Sequence, residues 1–265
     1  MEKYDIEILE NSYSHRTSYC GNYGIYVLQE ENYLDIDREN YYFTTDYTKE
    51  IYGDIINKYI NRYLLEVLNG IKICLGERPL MVNKLNDFDI EKQIEAYEII
   101  NCTKYNIKYN QIIESDGDKL LKIALTSQNI RDIFVLLNRV NKLDEHTFVN
   151  MYKIDDTAKS LIILTRDISY IDTSILSNQQ KKLSKHNGIA NNYLNSGLIA
   201  RHGNKLCEPG KSKLSKESLF QDTLKVVREM MNIFLNNPHL NFDDLVDKYL
   251  LTNKLKKGTK KPHCQ

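Results

Sequence analysis

Tryptophan is absent from this chain of 265 residues, and proline and glycine are scarce, at four and eleven residues. That scarcity excludes collagen-like repeats and long Gly- or Pro-rich linkers. No apolar run approaches the roughly 20 residues that span a bilayer, so no membrane partner is expected. The opening Met1-Glu2-Lys3-Tyr4-Asp5 carries charge where a secretory leader needs an apolar core. The five cysteines, Cys20, Cys74, Cys102, Cys207 and Cys264, are odd in number and form no C-x-x-C pair. This excludes a disulfide framework and the ligand spacing of a structural zinc site. Free thiols in a reducing compartment are the expectation, in the cytoplasm of a bacterium or an infected host cell. Glycine-rich phosphate loops and the H-E-x-x-H pattern are missing too.

What the chain has in abundance is Asn, Ile, Lys and Tyr, the amino acids that an AT-rich genome favours, which points to a low-GC bacterium, a phage, a large DNA virus or a parasite, with a virus or mobile element the expected source. Its formal net charge is zero, yet the charge is sorted by position. Met1 to Ile56 holds twelve acidic residues against four basic ones, whereas Gln180 to Lys216 holds eight basic residues against the single acid Glu208. Five more lysines, Lys254, Lys256, Lys257, Lys260 and Lys261, follow in the tail. Such a field attracts a polyanion at one end and repels it at the other. Ten of the nineteen tyrosines precede residue 57, where they fill strands or, if exposed, suit protein contact.

Hydrophobic periodicity predicts an α+β fold with a mixed N-terminal region of short strands and amphipathic helices and a helical C-terminal third. Tyr4, Ile6 and Ile8 alternate with charged residues as a half-buried strand does, and Gly24–Leu28 and Tyr41–Thr45 read as further strands. Ile51, Ile55, Tyr59 and Tyr63 recur four apart and predict a helix over 47–69, with Gly70 as its stop and Ile71–Leu75 as a strand. A second helix, capped by Asn86 or Asp87, carries Ile90, Ile94 and Ile99 toward a core. Asp116-Gly117 between two apolar runs predicts a hairpin over 106–126, and strands are expected at Thr147–Ile154 and Ser160–Thr165. Beyond Leu176 only helices are read. The expected organisation is an acidic, Tyr-rich α+β region over 1–176, a basic helical region over 177–253 and a Lys-rich flexible tail over 254–265.

The late basic segment has a mechanism attached to it. Lysine and arginine release condensed counterions on contacting phosphates, which supplies most of the affinity in non-specific nucleic-acid binding. Lys181, Lys182 and Lys185 share one helical face, Tyr193 offers a stacking ring, and Arg201, His202, Lys205, Lys211 and Lys213 continue the segment. These residues predict a nucleic-acid-binding protein. The acidic beginning offers a second outlet for the same charge: a homo-oligomer in which one copy's acidic face meets another's basic face. His186, His202 and Cys207 have no fourth ligand at a recognised spacing, so no metal site is read from them.

One other pattern touches catalysis. Leu75-Gly76-Glu77 followed by Asp87-Phe88-Asp89-Ile90 resembles the nucleotidyltransferase superfamily, whose small-residue turn precedes an Asp-x-Asp strand. The resemblance implies Asp87 and Asp89 as ligands of Mg²⁺ and an enzyme acting on nucleotides or nucleic acid. Glu77 stands where the family has a small residue, and Glu91-Lys92-Gln93 continues as a helix would. Gly24-Ile25-Tyr26 similarly resembles the opening of GIY-YIG nucleases, without the second Tyr-Ile-Gly strand.

Overall fold

The computed structural model describes residues 5–9, 23–31, 39–82, 89–105, 114–144, 146–190 and 215–258. The fold is α+β: a small antiparallel sheet near the N-terminus, then helices. The chain divides into two compact units, Met1–Asn138 and Arg139–Gln265. The change of composition expected near residue 176 falls inside the second.

In the first unit, β1 (Ile6–Ile8), β2 (Ile25–Glu31) and β3 (Glu39–Thr45) form a sheet in the order β1-β3-β2. Register sets Phe43 opposite both Ile6 and Val27. The strands alternate as read from the sequence, and Ile6, Ile8, Ile25, Tyr41 and Phe43 are buried. Helix α1 (Asp54–Leu75) packs against the sheet and against α2 (Ile90–Cys102) and α3 (Asp116–Thr126). α4 (Gln128–Asn141) follows.

Four expectations are corrected here. Gly70 does not end α1; the helix runs on through the expected strand Ile71–Leu75 to Gly76. Gly76 takes the left-handed conformation and its N–H reaches Ile73 O, while Glu77 N–H reaches Lys72 O at 2.7 Å, the paired bonds of a Schellman stop. The Asp116-Gly117 turn is instead the first turn of α3. Ser115 and Asp118 bond each other's backbone N–H in a capping box, and the two acids favour the positive helix end. Thr147–Ile154 and Ser160–Thr165 are not strands but parts of one helix, α5 (Thr147–Leu164), whose buried Phe148, Met151, Ile154, Ala158 and Leu161 recur at helical spacing. β-branched residues at 147, 149, 154, 162 and 163 gave it a strand-like appearance. In α2, Ile90 and Ile94 are exposed while Ala96 and Ile100 are buried, so the apolar face is turned from the expected one.

Side-chain amides lock α1 to the extended segments beside it. Asn57 accepts from Lys49 N–H and donates to Lys49 O, and Asn69 does the same with Leu80. Each amide satisfies a backbone donor and acceptor at once, which burial requires. Nearby, Tyr63 and Tyr97 donate to the two carboxylate oxygens of Asp132 at 2.8 and 2.7 Å. Burial, reinforced by that carboxylate, pushes the Tyr63 phenol far above its ordinary range.

The second unit holds α5, a single π turn (Thr165–Ser169), α6 (Ser174–Ala190), α7 (Lys216–Asn236) and α8 (Phe242–Gly258). α6 lies against both α5 and α7, and Phe234 of α7 stacks on Phe242 of α8 with centroids 6.0 Å apart. Among the described residues no helix is long and apolar enough to cross a membrane.

Candidate nucleic-acid interface

The site is built on α6, and its geometry begins with what the helix buries. Leu176, Gln180 and Leu183 are buried, three to four residues apart, and face the neighbouring helices. Each fully buried leucine stabilises the docking by about 1.5–3 kcal/mol. The apolar stripe alone would leave some freedom of roll, and polar pins remove it. Gln180 Nε2 donates to Asp155 Oδ1 of α5 at 2.8 Å, and Ser184 Oγ donates to the same oxygen at 2.9 Å. Asp155 is fully buried, and Lys159 Nζ, 2.6 Å from its other oxygen, neutralises it. At the N-terminal end, Asp172 Oδ1 accepts the Ser174 N–H at 2.9 Å.

Toward the other end, His186 Nε2 lies 3.0 Å from Asp222 Oδ2 of α7, and Lys225 Nζ donates to Asp222 Oδ1 at 3.2 Å. An ionised carboxylate only accepts, so Nε2 carries the proton. Burial pushes Asp222 upward, but hydrogen bonds from His186 and Lys225 outweigh it and hold the carboxyl below its ordinary value. A carboxyl depressed by folding adds stability above its unfolded pKa and loses it as pH falls through the folded one. His186→Ala is therefore expected to lower the melting temperature at neutral pH and to flatten its fall toward about pH 3. Parallel melting curves for both proteins across that window would contradict the assignment.

With the roll fixed by these contacts, Lys181, Lys182 and Lys185 are exposed on the solvent side of α6. No carboxylate occurs in the sequence of α6. Lys159, Arg166, His186 and Lys225 form ion pairs on α5, the π turn, α6 and α7, and none of these pairs involves the three lysines. Three ammonium groups within about one helical turn, unneutralised and aimed at water, make a local positive field suited to a phosphate backbone.

Of the other sequence-predicted site residues, Tyr193, Arg201, His202, Lys205, Lys211 and Lys213 lie outside the described residues, as does Asp87. Asp89 is at the N-cap of α2, where its Oδ1 accepts from Lys92 N–H at 3.0 Å. Its own N–H donates to Tyr59 Oη at 2.7 Å. Among the described residues no cluster of three His, Cys, Asp or Glu side chains could hold a metal ion. Sequence reasoning missed Asp155 and Asp222, the two carboxylates that orient α6. Their partners are 25 and 36 residues away, a separation with no motif to announce it. Compared with known proteins, the chain matches no family model, no curated protein and no solved structure.

Proposed function

We propose that this chain is a nucleic-acid-binding protein that contacts phosphates through the exposed face of α6. The observation carrying that reading is the trio Lys181, Lys182 and Lys185, exposed together on a helix without carboxylates. Asp155, held by Lys159, and Asp222, held by His186 and Lys225, support it, because these acids already have partners of their own. The sequence following α6 adds Arg201, His202, Lys205, Lys211 and Lys213, and an expected stacking ring at Tyr193. A virus or mobile element with an AT-rich genome, acting in the reducing cytoplasm, is the setting the composition favours. Cys74 and Cys102, thiols rather than halves of a disulfide, suit it.

Fluorescence anisotropy of a labelled oligothymidylate, titrated with the full chain across a salt series, tests the reading. Each neutralised phosphate of a single strand contributes about −0.7 to the slope of log K against log salt, so three lysines give about −2 and the following basic segment makes it steeper. No binding at low salt, or an affinity indifferent to salt, would overturn it. Sedimentation in the same buffers separates the rival use of the charge, since self-association through opposite faces depends on protein concentration and is abolished by salt.

A further inference from the structure

Four residues before α6 stands Tyr170, whose side chain is the most exposed large one with apolar area among the described residues, at 89%. Its backbone is left-handed, with φ 55° and ψ 31°, a conformation that costs a residue with a Cβ and that glycine or asparagine takes more readily. The strain is held in place from both sides. The π turn ends with Tyr170 N–H donating to Thr165 O, and the Thr165 hydroxyl bonds back to Leu161 O at 2.7 Å. On the other side, Asp172 fixes the first residue of α6. A bulky ring on strained backbone, turned into water, contributes little to folding; π turns and left-handed non-glycine residues concentrate at functional sites.

We propose that the α6 face binds single-stranded nucleic acid, with one unpaired base stacked on Tyr170 and the adjoining phosphates following Lys181, Lys182 and Lys185. This inference rests on the phosphate-binding reading above and adds the class of ligand to it. Beyond Tyr170 the exposed side of α6 carries Ser174 and Asn178 before the lysines, and Lys181 and Lys185 lie about 6 Å apart along the axis. An unpaired base offers its flat face to an aromatic ring whatever its sequence. In a duplex that face is covered by the neighbouring pairs, so Tyr170 discriminates by strandedness and the lysines do not.

Two substitutions in the full chain test it. Tyr170→Gly removes the ring and relieves the backbone. It is expected to weaken binding of oligothymidylate about ten-fold and to leave binding of the oligothymidylate–oligoadenylate duplex unchanged. Its melting temperature should equal or exceed that of the parent, whereas a structural role for the ring predicts a fall. Tyr170→Trp keeps a stacking surface and introduces the only indole of a chain without tryptophan. Its emission is expected to be quenched by the single strand and not by the duplex. If oligothymidylate binds the parent but Tyr170→Gly binds it equally well, or the indole emission does not change at saturation, stacking is overturned and phosphate binding stands. If the parent binds neither probe at low salt, both readings fall together.

Discussion

Gly70→Ala is expected to destabilise the protein by about 2 kcal/mol or more, although the same change in an exposed helix would stabilise it by about 1 kcal/mol. Gly70 is buried about three-quarters of the way along α1, where the helix passes directly over the backbone of α4. A Cβ there would lie 2.1 Å from Phe134 O, 2.6 Å from its carbonyl carbon and 2.7 Å from its Cα. All three atoms are main chain, so no rotamer change relieves the overlap; α1 and α4 must separate, opening gaps around the buried Leu68, Ile71 and Phe134. Loss of packing across that contact therefore outweighs the gain in helix propensity. Urea denaturation followed by circular dichroism decides the sign. A midpoint equal to or above that of the parent would refute the close approach.

Asp155→Ala is expected to cost about 3 kcal/mol, by stranding the buried Gln180 amide and the Ser184 hydroxyl without their shared acceptor. Lys159 contributes less to the loss, because its side chain is 41% exposed and water can take over its ammonium. Asp155→Asn keeps the shape and one acceptor oxygen, so its cost is expected to be smaller, about 1–2 kcal/mol. The ordering of the two variants separates a polar pin from simple filling of space, which predicts nearly equal values for the isosteric asparagine and the wild type. A stability for Asp155→Ala within about 0.5 kcal/mol of the parent would contradict the role given to the carboxylate. The same variant is also expected to weaken binding of oligothymidylate, since releasing Gln180 and Ser184 lets α6 roll.

The parts of this fold that could be read from sequence are those whose signal is local and periodic. β1 was legible from alternation, β2 and β3 as short strand-like runs, and much of α1 as a helix, although Ile51 of the four-residue repeat precedes the helix and both Ile51 and Ile55 are exposed. Lys181, Lys182 and Lys185 were placed on one helical face by spacing alone, and they are exposed as that placement requires. Misreadings arose where one local pattern has two physical uses. Asp-Gly makes hairpin turns, but Ser115 three residues before Asp118 makes it the start of α3. Glycine stops helices, but Gly70 serves a crossing and Gly76 performs the stop. β-branched residues favour strands, yet the burial of Met151, Ile154, Ala158 and Leu161 selects a helix, because tertiary packing outweighs intrinsic propensity. The pins on α6 were illegible for a different reason. Nothing in the run Asp155-Asp156 distinguishes the buried carboxylate from its exposed neighbour until α6 supplies Gln180 and Ser184. Tyr170, one of nineteen tyrosines, is singled out only by its exposure and its backbone.

The central claim is that α6 presents its lysines to phosphate, and the slope of log K against log salt for oligothymidylate measures this most directly when the triple variant Lys181→Ala/Lys182→Ala/Lys185→Ala is compared with the parent. These side chains are exposed and outside the hydrogen-bonded pins, so the variant is expected to fold with an unchanged melting temperature. Three lost phosphate contacts make the slope shallower by about 2 and weaken binding at low salt. An affinity and a slope identical to those of the parent would show that the phosphates are held elsewhere, and would contradict the account.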